Sequence, residues 1–255
     1  MTTAAAIKYI LFDLDGLLID SERVYTDVTN EILAPYGHKF NWTLKSNMMG
    51  KPLSDERVAC EYLVNELNLP ISVDEYILLR NKKQNEAWPK LGLRPGALEL
   101  VTHLKAHNIP IAVATGSRKA SLEQKCNAPA VSQLMSLFGD NVVTADDIGP
   151  GNGKPKPDTF LVAAQRLGAD VGYDVSATNQ PSQQQLLTRQ TCLVFEDAVP
   201  GVQAGLNGDM KVIWVPEPEL LDLYKDDASL KGVHQTVFSL QHLNLSDYGL
   251  PNIAN

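Results

Sequence analysis

Cysteine is scarce. Cys60, Cys126 and Cys192 are the only three in 255 residues, far apart and without a CxxC pair. An odd number at such spacing argues against a disulfide framework and offers no zinc-binding pattern, so free thiols in a reducing compartment are expected. No uninterrupted apolar run approaches the ~20 residues of a membrane-spanning helix. Positive charge is in deficit: 22 Lys and Arg stand against 30 Asp and Glu, a formal net charge of −8. A field of that sign repels nucleic-acid polymers and anionic membranes, so neither is an expected partner. It leaves room for a small phosphorylated ligand where the site supplies its own positive charge. Met1 to Ala6 hold no basic segment leading into a long apolar one, so no secretory signal is expected there. The expected location is the cytoplasm, with the nucleus as second choice, and the expected state is a monomer. With 44% hydrophobic and 20% charged residues, the composition is globular, which excludes a disordered, collagen-like or coiled-coil chain.

What is present is alternation. Apolar runs at Tyr9–Phe12, Ile109–Ala114, Asn141–Thr144, Thr191–Phe195 and Lys211–Val215 are mostly unbroken, the pattern of parallel strands covered on both faces. Between them, Ala97–His107 carries Leu98, Val101 and Leu104 at helical spacing, and Asp158–Leu167 carries Phe160, Ala163, Ala164 and Leu167. Strands alternating with helices predict an α/β domain with a parallel sheet. From Asp20 to Trp88 the alternation stops. Val24, Val28 and Ile32 repeat every fourth residue, Ser54 is placed to cap a helix carrying Val58, Tyr62 and Leu63, and Ser72 with Glu75 has capping-box spacing ahead of Ile77 and Leu78. This predicts a helical subdomain over residues 19–88, inserted into a core of 1–18 and 89–255. The segment 169–190, rich in Ser, Thr, Asn and Gln, is expected to be a surface loop, and Val233–Phe238 a short final strand.

The chemistry-bearing residues sit after strands. Asp13 and Asp15 follow the first strand, at the end where open α/β sheets bind ligands; two acids so close need a cation between them or a shared proton. Glu196-Asp197 follows another buried strand, and if the two pairs converge they make a hard-cation site suited to Mg2+. Thr115-Gly116-Ser117 ends a third strand with a hydroxyl and glycine-freed N–H groups that suit a phosphate oxygen. Lys154 lies in Lys-Pro-Lys-Pro-Asp, whose prolines fix the backbone before a helix.

Acid pair, hydroxyl, lysine, acid pair: in that order the chain resembles the haloacid dehalogenase-like phosphatase superfamily from about Ile7 to Val215. The matching stretches are FDLDGLLIDSE (12–22), PGALELVTHL (95–104), ATGS (114–117), GKPKPDTF (153–160) and VFEDAVPGVQAG (194–205). Within it the chain is similar to the helical-capped pseudouridine-5′-phosphatase family, on DGLLIDSERVY (15–25), WTLKSNMMGK (42–51), LVFEDAVPGV (193–202) and YGLP (248–251). The segment 169–190 departs from that pattern and is longer.

The resemblance implies a Rossmann-like parallel-sheet core with an inserted α-helical cap, and a covalent route. Asp13 is the implied nucleophile. Asp15 is the implied acid and then base, ionised Asp13 being paired with an Asp15 that holds a proton when substrate binds. Mg2+ would be held by Asp13, the Asp15 carbonyl and Asp197, with Glu196 beside it or acting through water. Thr115, the Gly116 backbone and Lys154 would face the phosphoryl oxygens. The cap would exclude bulk water, hinge near Leu17–Ile19 and Trp88–Leu91, and touch substrate through Met49-Gly50-Lys51. The implied substrate is a small phosphomonoester, with pseudouridine 5′-phosphate first among nucleotide and sugar phosphates. A sugar phosphomutase of the β-phosphoglucomutase kind, a glycerol or deoxyglucose phosphate phosphatase, and an inactive binding module on the same fold are the alternatives.

Overall fold

A computed structural model of the chain describes residues 6–49, 56–174, 180–224 and 226–253. Six strands, β1 (Tyr9–Phe12), β2 (Ile111–Ala114), β3 (Val142–Val143), β4 (Cys192–Glu196), β5 (Lys211–Trp214) and β6 (Gln235–Thr236), form one sheet in the order β3-β2-β1-β4-β5-β6. Every pairing is parallel. The chain steps outward from β1 to β3, then returns to lay β4 against the other side of β1. The strand order therefore reverses between β1 and β4, and such a reversal leaves a crevice at the carboxyl ends of the strands.

The unbroken apolar runs are explained by burial on both faces. Ile10, Phe12, Val113, Leu193, Phe195 and Ile213 belong to one hydrophobic cluster. The alternate residues Leu11, Ala112, Ala114, Val194, Val212 and Trp214 belong to a second. The helix Ala97–Ala106 adds Leu100, Val101 and Leu104 to the first cluster. The helices Asp158–Arg166 and Val199–Asn207 cover the second with Phe160, Ala163, Val202 and Ala204.

Between Asp20 and Trp88 the described residues are helical or irregular, as the sequence predicts. Helices span Ser21–Leu33, Trp42–Met49, Glu56–Glu66 and Val73–Ala87. The Ser72–Glu75 capping box is present, but the side chain it brings inside is Tyr76, while Leu78 remains 69% exposed. Ser54 lies outside the described residues. Val24, Val28, Ile32, Leu63 and Tyr76 join the same hydrophobic cluster as Phe12, so the inserted helices continue one face of the sheet. The chain leaves and re-enters side by side: Ile19 bridges Leu93, Asp20 N–H donates to the Gly92 carbonyl at 3.0 Å, and Arg94 N–H donates to the Leu18 carbonyl at 2.9 Å.

Two expectations need correction. The segment 169–190 is not loop throughout: Gln183–Arg189 is a helix with a capping box from Ser182 and Gln185. Its Gln, Leu and Arg residues are good helix formers, and Arg189 is buried, its Nε donating to the Val171 carbonyl at 2.8 Å. The final strand is only Gln235–Thr236, and Phe238 is 60% exposed. Among the described residues, no helix is long and apolar enough to cross a membrane.

Phe12 anchors the sheet's first cluster. It stacks on Phe195 with centroids 4.9 Å apart and meets the edge of Phe138 at 6.1 Å. Replacing a fully buried aromatic by alanine leaves a cavity the close-packed sheet cannot close, so Phe12→Ala is expected to cost about 3–5 kcal/mol. Urea unfolding followed by circular dichroism measures this directly.

Candidate active site

The strand ends set the site. Asp13 N–H donates to the Phe195 carbonyl at 3.0 Å, Thr115 N–H to the Val143 carbonyl at 2.9 Å, and Val215 N–H to the Glu196 carbonyl at 2.7 Å. These bonds extend the parallel ladder by one residue and hold Asp13, Thr115 and Glu196-Asp197 level along one edge. Asp13 and the Glu196-Asp197 pair flank the reversal between β1 and β4.

Asp13, Glu196 and Asp197 are all buried, and carboxylate oxygens of the three lie within 4.8 Å of one another. Of the first acid pair, Asp13 therefore meets both Glu196 and Asp197. Lys154 reaches the same point: its Nζ bonds Asp13 Oδ1 and Glu196 Oε1, the latter at 2.6 Å, over the face of Phe160. One ammonium against three carboxylates leaves negative charge uncompensated. Burial pushes the Asp13 carboxyl up to about 7, against the pull of Lys154 and aided by Glu196 and Asp15. Burial, then Glu196, Asp13 and Glu22, push Asp197 well up too. Among the described residues, Asp197 Oδ1 is buried without a hydrogen-bond partner. An orphaned carboxylate oxygen beside two more carboxylates is the donor set of a hard divalent cation, so these residues fit Mg2+.

Two glycines make the convergence sterically feasible. Gly16 has φ +83°, and a Cβ there would stand 2.2 Å from Asp197 Oδ2. A Cβ on Gly201, in the helix after β4, would stand 1.6 Å from Glu196 Oε1. Both carboxylates occupy space that any side chain would fill.

Asp15 belongs to a second, adjoining cluster. Ser117 Oγ donates to its Oδ2 at 2.8 Å, and Thr115 Oγ1 to the same oxygen at 3.3 Å. Lys125 Nζ donates to Oδ1 at 2.5 Å. Burial opposes ionisation of Asp15, but the Lys125 charge, with the Lys125 and Ser117 hydrogen bonds, outweighs it and holds the carboxyl below its ordinary value. The resemblance implies an ionised Asp13 and a protonated Asp15 in the loaded site. The surroundings push the other way: burial, with Glu196 and Asp15, outweighs Lys154 and raises the proton affinity of Asp13, while Lys125 lowers that of Asp15.

Thr115 is buried at the end of β2 with Gly116 exposed beside it, and Lys154 lies against Asp13 and Glu196. Lys51, Gly50 and the Met49 side chain lie outside what is described. Ser117 and Lys125 are missed by the sequence reading. Ser117 is signalled only by adjacency to Thr115-Gly116, and Lys125 looks like any solvated helix lysine. Glu22, near Asp197, is also missed; its Oε2 pairs with Lys45 Nζ of the helix Trp42–Met49 at 2.7 Å.

Comparison with known proteins places the chain in a family. The family model of haloacid dehalogenase-like hydrolases matches residues 7–209. A probable pseudouridine-5′-phosphatase of Saccharomyces cerevisiae is 36% identical, over 98% of this chain and 100% of its own. A (DL)-glycerol-3-phosphatase of Arabidopsis thaliana is also 36% identical, over 96% of this chain and 92% of its own. A haloacid dehalogenase family hydrolase of Deinococcus radiodurans, whose crystal structure holds bound phosphate and sodium, superposes with a TM-score of 0.73 at 25% identity, covering 98% of this chain and 100% of that one. The chain belongs to the haloacid dehalogenase-like hydrolases and is a phosphatase of that family, a phosphoric monoester hydrolase.

Proposed function

We propose that the chain is a Mg2+-dependent phosphatase that cleaves a small phosphomonoester through an aspartyl-phosphate on Asp13, with pseudouridine 5′-phosphate as its substrate. The carrying observation is the cluster of three buried carboxylates, with Asp197 Oδ1 unpartnered among the described residues and Lys154 paired with Asp13 and Glu196.

An Asp13 oxygen attacks phosphorus in line; the Asp13 O–P bond forms as the ester P–O bond breaks. Asp15 gives its proton to the departing alkoxide. It then takes one from the water that attacks the aspartyl-phosphate, which releases inorganic phosphate and restores Asp13. Lys125 favours the ionised form of Asp15, so Asp15 takes up a proton from solvent before it can donate one, and a phosphate dianion brought close adds like charge that favours this uptake. Lys154, Thr115 and the Gly116 N–H are placed to meet charge on the equatorial oxygens. Mg2+, held by Asp13, the Asp15 carbonyl and Asp197 with Glu196 alongside, would supply a fixed positive charge next to those oxygens.

Residues 19–88 act as a cap over a core of 1–18 and 89–255. Support comes from Trp42, which packs against the cluster on the far side of the sheet from Phe12, and from the Lys45–Glu22 pair near Asp197. Both bring the helix Trp42–Met49 to the rim, where it can exclude water and read the leaving group. Lys51 follows that helix and remains the proposed substrate contact. A second substrate reading, glycerol 3-phosphate, is favoured by the Arabidopsis thaliana relative at the same 36% identity.

Asp13→Asn is expected to lower phosphate release at least about 10³-fold with the melting temperature kept; activity near that of the unsubstituted chain would remove Asp13 as nucleophile. Phosphate release should require added Mg2+ and stop with EDTA, measured by a colorimetric phosphate assay. In a phosphomonoester screen, pseudouridine 5′-phosphate should give the highest kcat/KM. Preference for glycerol 3-phosphate would move the assignment to the second reading, and an isomerised sugar phosphate in place of inorganic phosphate would indicate a mutase.

A further inference from the structure

Lys125 ends the helix Lys119–Lys125, and none of its side chain is exposed. The reaction above gives it no contact with substrate. A buried ammonium must be partnered, and here its polar partners surround the proton carrier. Lys125 Nζ donates to Asp15 Oδ1 at 2.5 Å and to Ser117 Oγ at 2.8 Å, while Ser117 Oγ donates to Asp15 Oδ2 at 2.8 Å. The three groups close a ring that holds both oxygens of one carboxylate. Behind the ammonium lie the rings of Tyr25 and Trp88, with centroids 5.8 and 5.6 Å away. Those rings pack edge to face at 5.5 Å. Tyr25 comes from the first helix of the insertion and Trp88 from its return to the sheet, so the ammonium is enclosed by both ends of the insertion.

We infer that Lys125 is a positioning residue: with Ser117, and backed by the Tyr25–Trp88 pair, it fixes the orientation from which Asp15 exchanges a proton with the leaving oxygen. This rests on the reading of Asp15 as acid and base. Asp15 immediately precedes a tight turn at Gly16, where a carboxylate free to rotate would spend little time aligned, and proton transfer demands alignment. Lys154 and the attacking carboxylate belong to the other cluster. Loss of Lys125 therefore impairs proton delivery and spares the attack by Asp13.

The test compares leaving groups. p-Nitrophenolate departs without a proton, whereas the alkoxide of pseudouridine 5′-phosphate or glycerol 3-phosphate does not. First-turnover rates are measured by rapid quench for the unsubstituted chain, Lys125→Met, Lys125→Arg, Ser117→Ala and Asp15→Asn. Lys125→Met is expected to slow the alkyl ester about 10²-fold and p-nitrophenyl phosphate less than about threefold, with KM nearly unchanged. Lys125→Arg should restore most of the loss, and adding Lys125→Met to Asp15→Asn should cost little more, since both remove one function. If Asp15→Asn slows both esters equally, the acid–base reading itself fails. If Asp15→Asn is selective for the alkyl ester but folded Lys125→Met is not, the positioning role is overturned. Should Lys125→Met fail to fold, Ser117→Ala decides: a smaller loss confined to the alkyl ester supports the role, and an unchanged or unselective rate overturns it.

Discussion

The burial of three carboxylates around one ammonium is the constraint from which the rest of the site follows. Asp13, Glu196 and Asp197 meet where water is excluded, and Lys154 offsets only part of their charge. Burial first, and then like charges so close, raise their proton affinity, which is why Asp13 and Asp197 are pushed up. Such a cluster is stable only if protonated or supplied with further positive charge, and a hard cation provides that while preserving ionised oxygens. Gly16 and Gly201 are consequences of this crowding: each leaves out the side chain that would occupy a carboxylate's space.

The neighbouring carboxylate is treated differently. Asp15 is two residues from Asp13, yet its side chain joins a cluster with its own cation, Lys125, and two hydroxyls. Two acids on one turn thus reach opposite protonation tendencies through their surroundings. That asymmetry is the inverse of the charge states the reaction needs, an ionised Asp13 and a protonated Asp15, so the charges of cation and substrate would have to invert it. The inserted helices take part in the separation, because Tyr25 and Trp88 wall in Lys125. The same helices extend the sheet's hydrophobic cluster, so the elements that shelter the site also complete its core.

The parallel sheet was legible because it is local. β1, β2, β4 and β5 are short apolar runs buried on both faces, a pattern that short-range periodicity carries. The acid pairs were legible because each follows such a run directly. The helix Gln183–Arg189 was hidden by its polar composition, since capping and a buried arginine set it rather than an apolar stripe. Lys125 was hidden for a related reason: in sequence it is one lysine among the 22 basic residues, and only the approach of β1, β2 and the inserted helices leaves it in the interior.

The linear chain by itself determined the strands, the acids and hydroxyl after them, Lys154, and the helical insertion, because each rests on local periodicity or residue order. Tertiary structure alone decided which groups share an environment. Parallel pairing of β1 with β4 joined Asp13 to Glu196 and Asp197, and packing of the helix Lys119–Lys125 carried a lysine 110 positions away from Asp15 onto that carboxylate. Charge interactions depend on separation and burial in space, and neither quantity exists until the chain has closed on itself.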